Sequence, residues 1–320
     1  MQRVLLITTA SDLAADLVIL QIRRRGVSFI RFNQESFPAQ ISMRWPGSGG
    51  CATLTIDGEV VRCSDIQSAW FRHPVAPTLP DSVDDGTRQF VTRECAGFLA
   101  GYWETAPWFW MNRPSAAVHA ASKLRQLAEA RRRGFAVPET LVTNCPTTAR
   151  EFLLDRAGIA KVVTSGGLDD AGRRYAIHTT PISAADLSDE AVRAAPVIFQ
   201  ERIANHYDLR VTVVGTLAFA TRIIADDRGG NADWRAIEPS RLRYERHDLP
   251  PAIEASCIAL VKAFSLSFAA LDFIVTPEGE HVFLELNPSG QWGWLEEATG
   301  VPITDAIVDQ LIEGKPCALT

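Results

Sequence analysis

Asp272, Glu285 and Asn287 interrupt a stretch, Leu271 to Pro288, that is otherwise largely apolar. The stretch reads as two strands joined by a turn at Pro277-Glu278-Gly279. If the turn centres on Glu278-Gly279, Asp272 lies across the ladder from Glu285, and directly opposed like charges destabilise a sheet. Asn287, two residues past Glu285, points to the same face. Two carboxylates and an amide oxygen make a hard all-oxygen set of the kind that holds Mg²⁺ against phosphates. The competing reading is a pair of solvent-facing acids on an edge hairpin. A three-residue loop with a bulge would shift the register by one.

Cationic candidates are few and placed at strands and helices. Lysine occurs only at 123, 161, 262 and 315, and arginine supplies the remaining basic residues. Lys161 sits in Ile159-Ala160-Lys161-Val162-Val163, a strand that should be buried, where a point-charge ammonium needs an anion. Lys123 lies on a helix beside Arg125, where a solvated role competes with an anion-binding one. Arg210 falls in the middle of the apolar run Leu209 to Val214, on the same face as Asp208. A charge there is costly unless paired, either with a phosphate oxygen or with Asp208. Ser165 to Gly172 is a polar, glycine-rich loop between strands, suited to cradling phosphates or to being an ordinary hairpin tip. Four of the six histidines, 119, 178, 206 and 247, share no spacing.

The surrounding elements divide the chain into three parts, 1–112, 113–196 and 197–320. The first begins strand–helix–strand: Arg3 to Thr8, then Asp12 to Arg25 with Leu13, Leu17 and Leu20 at helical spacing, then Val27 to Phe32. A hairpin follows around Asp57-Gly58, then a strand Ser68 to Arg72 and a helix Phe90 to Trp103 with Phe90, Phe98, Leu99 and Tyr102 on one face. It has no G-x-G-x-x-G, so it is not read as dinucleotide-binding. The second part carries one helix, Ser115 to Arg133, strands Thr140 to Thr143, Gly158 to Thr164 and Tyr175 to Thr179, and a helix Thr148 to Asp155. The third holds strand Val197 to Ile203, a tight hairpin at Gly215-Thr216, a helix Ala252 to Phe264, the acidic hairpin and a last helix Pro302 to Ile312.

Composition fits an α/β globular protein of this kind. Hydrophobic residues make up 47% and charged residues 22% of 320, and the net charge of −6 gives no broad attraction to nucleic acid or anionic membrane. Six cysteines without a C-x-x-C pair suit the reduced cytoplasm and argue against a disulfide framework or zinc site. The start reads as a first strand, not a signal peptide, and Lys262 and Asp272 interrupt the apolar run 257–275 that could mimic a membrane span.

Taken in order, these landmarks resemble the ATP-grasp superfamily and, more narrowly, the ATP-grasp ribosomal peptide maturases that make graspetides, the microviridin-type crosslinked peptides. The resemblance runs through Trp70-Phe71-Arg72-His73-Pro74, where the family tends toward W-Y-R-R-P, Val137 to Asn144, Phe199-Gln200-Glu201 and Asp208 to Gly215. It continues through Asp233-Trp234-Arg235 and Phe283 to Trp292. Glu-x-Asn-Pro alone points to ATP-grasp; the added Gly-Gln-Trp points to the subfamily. His73 departs from the usual second arginine.

The resemblance implies a three-part ATP-grasp fold with an N-terminal α/β pre-ATP-grasp domain, ATP and Mg²⁺ as cofactors, and a homodimer. Lys123, Lys161, Gln200, Glu201, Arg202, Ile203 and Asp208 would bind ATP. Asp272, Glu285 and Asn287 would hold metal, with Arg210 and Asn287 catalytic. Arg72, Trp234, Arg235, Gln291 and Trp292 would face the substrate. That substrate would be a ribosomal precursor peptide, leader plus core, whose Asp or Glu carboxylate is activated as an acyl phosphate and joined to a Thr, Ser or Lys side chain. The rivals are a glutamate-ligase-type enzyme adding a free amino acid, and a non-catalytic nucleotide sensor.

Overall fold

A computed structural model describes residues 2–47, 51–164, 167–170, 173–226 and 233–314. The first part runs β1 (Arg3–Thr8), α1 (Leu13–Arg24), β2 (Ser28–Asn33), β3 (Ser42–Arg44), β4 (Thr53–Ile56), β5 (Glu59–Arg62), β6 (Ile66–Phe71), α2 (Asp85–Thr105) and β7 (Phe109–Met111). Strands β2-β1-β6-β7 form a parallel sheet. β1 is central and buried along nearly its whole length, so its apolar residues run without alternation. Asp12 caps α1 by accepting from the amides of Ala14 and Ala15.

The buried stripe of α1 is not the leucines. Ala14, Ala15, Val18, Ile19 and Ile22 face the core, and Leu13, Leu17 and Leu20 are exposed. Both sets obey helical spacing, and the small alanines are the side that lets the helix approach the sheet. The same correction applies to α2, where Leu99, Tyr102 and Trp103 are buried but Phe90 and Phe98 are exposed. The hairpin turn has both Asp57 and Gly58 at positive φ, 51° and 79°, the combination a two-residue type I′ connection requires.

The single helix expected over 115–133 is two, α3 (Pro114–Ala120) and α4 (Lys123–Arg132). The side chain of Gln126 explains how the break is tolerated: it donates to Ala120 O, satisfying a carbonyl at the end of α3. Next come β8 (Thr140–Thr143), α5 (Pro146–Leu153), β9 (Gly158–Val162), β10 (Gly167–Asp170), β11 (Arg173–Ala176), β12 (Thr180–Ile182), α6 (Asp189–Ala194) and β13 (Val197–Glu201). They build an antiparallel sheet β12-β9-β13-β8 and a separate hairpin β10-β11. The described part of the glycine-rich segment, Gly167–Asp170, is thus hairpin strand rather than loop; Ser165, Gly166, Ala171 and Gly172 lie outside the described residues.

The last part comprises β14 (Tyr207–Val214), β15 (Leu217–Ala225), β16 (Leu242–His247), α7 (Pro251–Ala263), β17 (Phe268–Val275), β18 (His281–Asn287), α8 (Gly293–Thr299) and α9 (Ile303–Glu313). Its antiparallel sheet is ordered β16-β15-β14-β17-β18. One face carries Leu209, Val211, Val213, Leu271, Phe273 and Phe283 against Cys257, Leu260 and Val261 of α7. The opposite face carries Asp208, Arg210, Thr212, Thr221 and Asp272, all buried. α9 returns to the first part, so that Ile303, Ile307 and Leu311 share a core with Val18, Ile22 and Trp70. Among the described residues no helix is long and apolar enough to cross a membrane, and the described cysteines are free thiols.

Candidate active site

The acidic hairpin reaches the expected opposition by an unexpected route. Its loop is the three residues Pro277-Glu278-Gly279, closed by Thr276 N to Glu280 O at 3.0 Å, with Gly279 at φ 87°. That loop pairs Phe273 with Phe283, one residue out of step with an Asp272–Glu285 pairing. A register break between Asp272 and Phe273 leaves Leu284 as the extra residue and brings Asp272 opposite Glu285. Without that bulge, alternation from Phe283 would send Glu285 to the α7 face. The bulge therefore puts Asp272, Glu285 and Asn287 on one polar surface.

Arginines neutralise the opposed acids. Arg210, opposite Asp272 in the ladder, donates Nη1 to both carboxylate oxygens at 2.8 and 3.0 Å. Its partner is Asp272 rather than the sequence-adjacent Asp208, whose Oδ1 accepts from Asn205 Nδ2 at 3.1 Å. Arg235 arrives from the short turn after Asp233, donating Nη2 to Asp272 Oδ2 at 2.5 Å and Glu285 Oε1 at 3.2 Å. Burial opposes the Asp272 charge, but Arg210 and then Arg235 outweigh it and hold the carboxyl below its ordinary value.

The donor set fits a hard divalent ion. Among the described residues no three His, Cys, Asp or Glu side chains cluster for a metal, and the Asn287 amide oxygen is a hard donor on the same surface as Asp272 and Glu285. Asn287 Oδ1 accepts from Ser289 N at 2.9 Å, which orients it and leaves its second lone pair for coordination.

The lysines come from the second part of the chain, on α4 and β9. Lys123, the first residue of α4, donates Nζ to Val162 O at 2.9 Å. Lys161 is half-buried on β9; burial pushes its pKa down, Glu285 pulls it up and Lys123 pushes it down again. The carboxylate that favours its charge most is thus on the acidic hairpin. Gln126 fixes that arrangement: its amide bonds both Leu286 O, at 2.7 Å, and Leu286 N, at 3.0 Å, tying α4 to the edge strand β18. Gln126 carried no sequence signal beyond a polar residue on an amphipathic helix.

At the expected hinge, β13 ends at Glu201, so Arg202 and Ile203 lie beyond the strand. Gln200 is buried and donates to Thr140 Oγ1 at 2.9 Å. The amides of Glu201 and Arg202 are engaged with Glu139 O and Ala157 O.

Arg72 and Trp292 are buried behind the site rather than lining it, whereas Gln291 is exposed. Arg72 is buried between the rings of Trp70 and Trp292, pairs with Asp12 at 2.9 Å and donates to Gln291 Oε1 at 2.7 Å. Trp292 is fully buried and donates to Thr304 Oγ1 at 3.1 Å. Gln291 O in turn accepts from Arg210 Nη2 at 3.2 Å. These contacts lock the first sheet to the loop that seats Arg210, so Arg72 and Trp292 position the site from outside it. Trp234 stacks beneath Arg235 and beside Trp294, which also packs on Tyr244; of this aromatic wall only Trp234 was expected to face the substrate.

The family model of the MvdD pre-ATP grasp domain matches residues 3–117. The macrocyclase MdnB from Microcystis aeruginosa MRC is 30% identical, with 98% of this chain and 100% of that one covered and a TM-score of 0.82. The macrocyclase MdnC of the same organism, crystallised with precursor peptide MdnA, is 29% identical over 97% and 99% of the two chains, TM-score 0.87. A Chryseobacterium gregarium RiPP-associated ATP-grasp ligase, in complex with ADP and a leader and core peptide, is 27% identical over 99% and 98%, TM-score 0.88. No curated protein matches the chain by sequence. With full-length coverage, this identity and the same three-part architecture, the chain belongs to the family of RiPP-associated ATP-grasp macrocyclases.

Proposed function

We propose that this ATP-dependent ligase crosslinks side chains within a ribosomally made precursor peptide, forming ω-ester or ω-amide bonds through an acyl phosphate. The observation that carries the reading is the full-length likeness to MdnB. The reading divides the chain near 112 and 196, with ATP between the second and third parts. An Asp or Glu carboxylate of the peptide attacks the γ-phosphorus of ATP and ADP leaves; a Thr or Ser hydroxyl or a Lys amine then displaces phosphate from the acyl group.

Each proposed role follows from placement. Lys123 and Lys161 supply point charges for phosphate oxygens, and Gln200 to Ile203 with Asp208 take the base and ribose. Because the amides of Glu201 and Arg202 are engaged, the base is read at this hinge by groups other than those two N–H donors. Asp272, Glu285 and Asn287 hold Mg²⁺, which when bound screens the phosphate charge. Arg210, with one nitrogen unpartnered and buried, stabilises the transferring phosphoryl group. Trp234 and Arg235 stand nearest the peptide. The cytoplasm and a homodimer complete the proposal.

The test is peptide-dependent ADP release. The parental protein should release ADP only with precursor and Mg²⁺ present, and Glu285→Gln and Arg210→Ala should abolish it. ADP release at the parental rate from Glu285→Gln would remove the metal assignment.

A further inference from the structure

Arg235 occupies the space between the two carboxylates proposed to hold the metal. Its Nη2 bridges the two opposed carboxylates, 2.5 Å from Asp272 Oδ2 and 3.2 Å from Glu285 Oε1. Its Nη1 is 3.3 and 3.4 Å from the two Asp233 oxygens. Its guanidinium lies 5.0 Å from the centre of the Trp234 ring. The arginine is thus held at both ends: by the acids it neutralises, and by a tether of neighbours on its own turn.

Two guanidinium groups and one divalent ion cannot all crowd against Asp272. Arg210 is buried on a central strand and pinned from two sides, by Asp272 and by Gln291 O. Arg235 is about one-third exposed, with its side chain at 36%, and comes from a turn rather than from the sheet. Of the two it is the one that can leave. Asp233 and Trp234 travel with it on the same turn, so they remain as partners after it has left the carboxylates.

Resting on the proposed function, we propose that Arg235 is a tethered counter-cation: it closes the acidic pair in the free protein and is exchanged for the metal ion when metal–nucleotide binds. The exchange explains how Asp272 and Glu285 face each other in a stable fold without a bound ion. It also gives binding an order. The guanidinium becomes available to an anionic peptide side chain only once the metal has displaced it, so metal–nucleotide loading precedes capture of the carboxylate.

Two measurements test this without relying on turnover. The first is modification of Arg235 by an arginine-selective dicarbonyl, read by peptide mass spectrometry on the unaltered protein. Modification should be slow in the free protein and rise several-fold with Mg²⁺ and ADP, but not with ADP alone. The second is Mn²⁺ binding in the presence of ADP, followed by electron paramagnetic resonance. Arg235→Gln should bind Mn²⁺ about tenfold more tightly or better, the scale of one charge-assisted hydrogen bond no longer competing. Arg243→Gln, which removes an exposed charge paired with Asp226, controls for net charge and should leave affinity unchanged.

If Mn²⁺ binds and Glu285→Gln abolishes that binding, yet Arg235 modification is unchanged or falls, the exchange is wrong while the metal site stands. Equal tightening in Arg235→Gln and Arg243→Gln would reduce the effect to net charge and also overturn it. Absence of Mn²⁺ and ADP binding altogether would overturn both the exchange and the proposed function.

Discussion

Gly290 should be irreplaceable even by alanine. A Cβ at this position would lie 2.4 Å from Ala270 Cβ and 2.8 Å from Arg210 Nη2. Ordinary contact begins at 3.4 Å, so the shortfall is about 1 Å at Ala270 and about 0.6 Å at Arg210. Ala270 is on a central strand and cannot yield without moving the sheet. Arg210 can yield only by loosening its bonds to Asp272 and Gln291 O. Overpacking of this size costs about 1–3 kcal/mol, and displacing the group proposed to hold the transferring phosphoryl by a fraction of an ångström would cost up to on the order of 100-fold in rate. Gly290→Ala should therefore melt a few degrees lower and turn over far more slowly at saturating ATP, measured by scanning calorimetry and steady-state ADP release. Adding Ala270→Gly should recover most of the stability, because it removes the closer clash. Parental melting and parental turnover in Gly290→Ala would refute the claim that this loop is pressed against the sheet to seat Arg210.

Three further outcomes follow from other contacts. Gln126→Leu leaves Ala120 O, Leu286 O and Leu286 N without their side-chain partner, so it should cost about 3 kcal/mol or more in chemical denaturation; a loss under about 1 kcal/mol would mean that the edge of β18 finds other partners. Lys161→Met should weaken ATP binding by about tenfold or more in calorimetry, whereas Lys262→Met, on the exposed last turn of α7, should leave it unchanged; equal affinities would refute the distinction. Burial lowers the pKa of both His247 and His281, reinforced at His247 by Arg222 and His281 and opposed by Asp248. The folded state then binds fewer protons than the unfolded one, so their stabilisation is complete above the unfolded histidine value of about 6.5 and is lost as pH falls below it. The double variant His247→Gln, His281→Gln should flatten the stability–pH slope below about pH 6.5 in urea titrations, and an unchanged slope would assign it to other groups.

The strands were the most readable part of the chain, because buried runs bounded by Gly and Pro leave little choice. Tyr207–Val214 and Leu217–Ala225 flank a turn whose Gly215 adopts φ 59°, and that turn alone fixes their register. Helix faces were less readable. In α1 two stripes compete at the same period, and only packing decides for Ala15, Val18 and Ile22 over Leu13 and Leu17. Asp272 opposite Glu285 was legible as a conflict of charge, but not the Leu284 bulge that achieves it. Arg210's true partner was hidden because strand neighbours across a sheet are far apart in sequence, whereas Asp208 was close at hand. Arg72 and Trp292 carried a recognisable motif, yet a motif does not say which side of the site a residue stands on. The structure puts them behind it, in a joint between the first and last parts.

The most direct test is the mass of the peptide. A short peptide encoded beside this protein, rich in Thr, Ser or Lys and in Asp or Glu near its C-terminus, should be incubated with the protein, ATP and Mg²⁺ and weighed intact by mass spectrometry. Condensation within one chain adds no group, so the proposed chemistry predicts the loss of one water mass per bond formed, with no loss when Arg210→Ala replaces the parental protein. A gain matching an added amino acid would contradict it in favour of a free-amino-acid ligase. Nucleotide binding with no change of mass in any neighbouring short peptide would contradict it in favour of a nucleotide sensor.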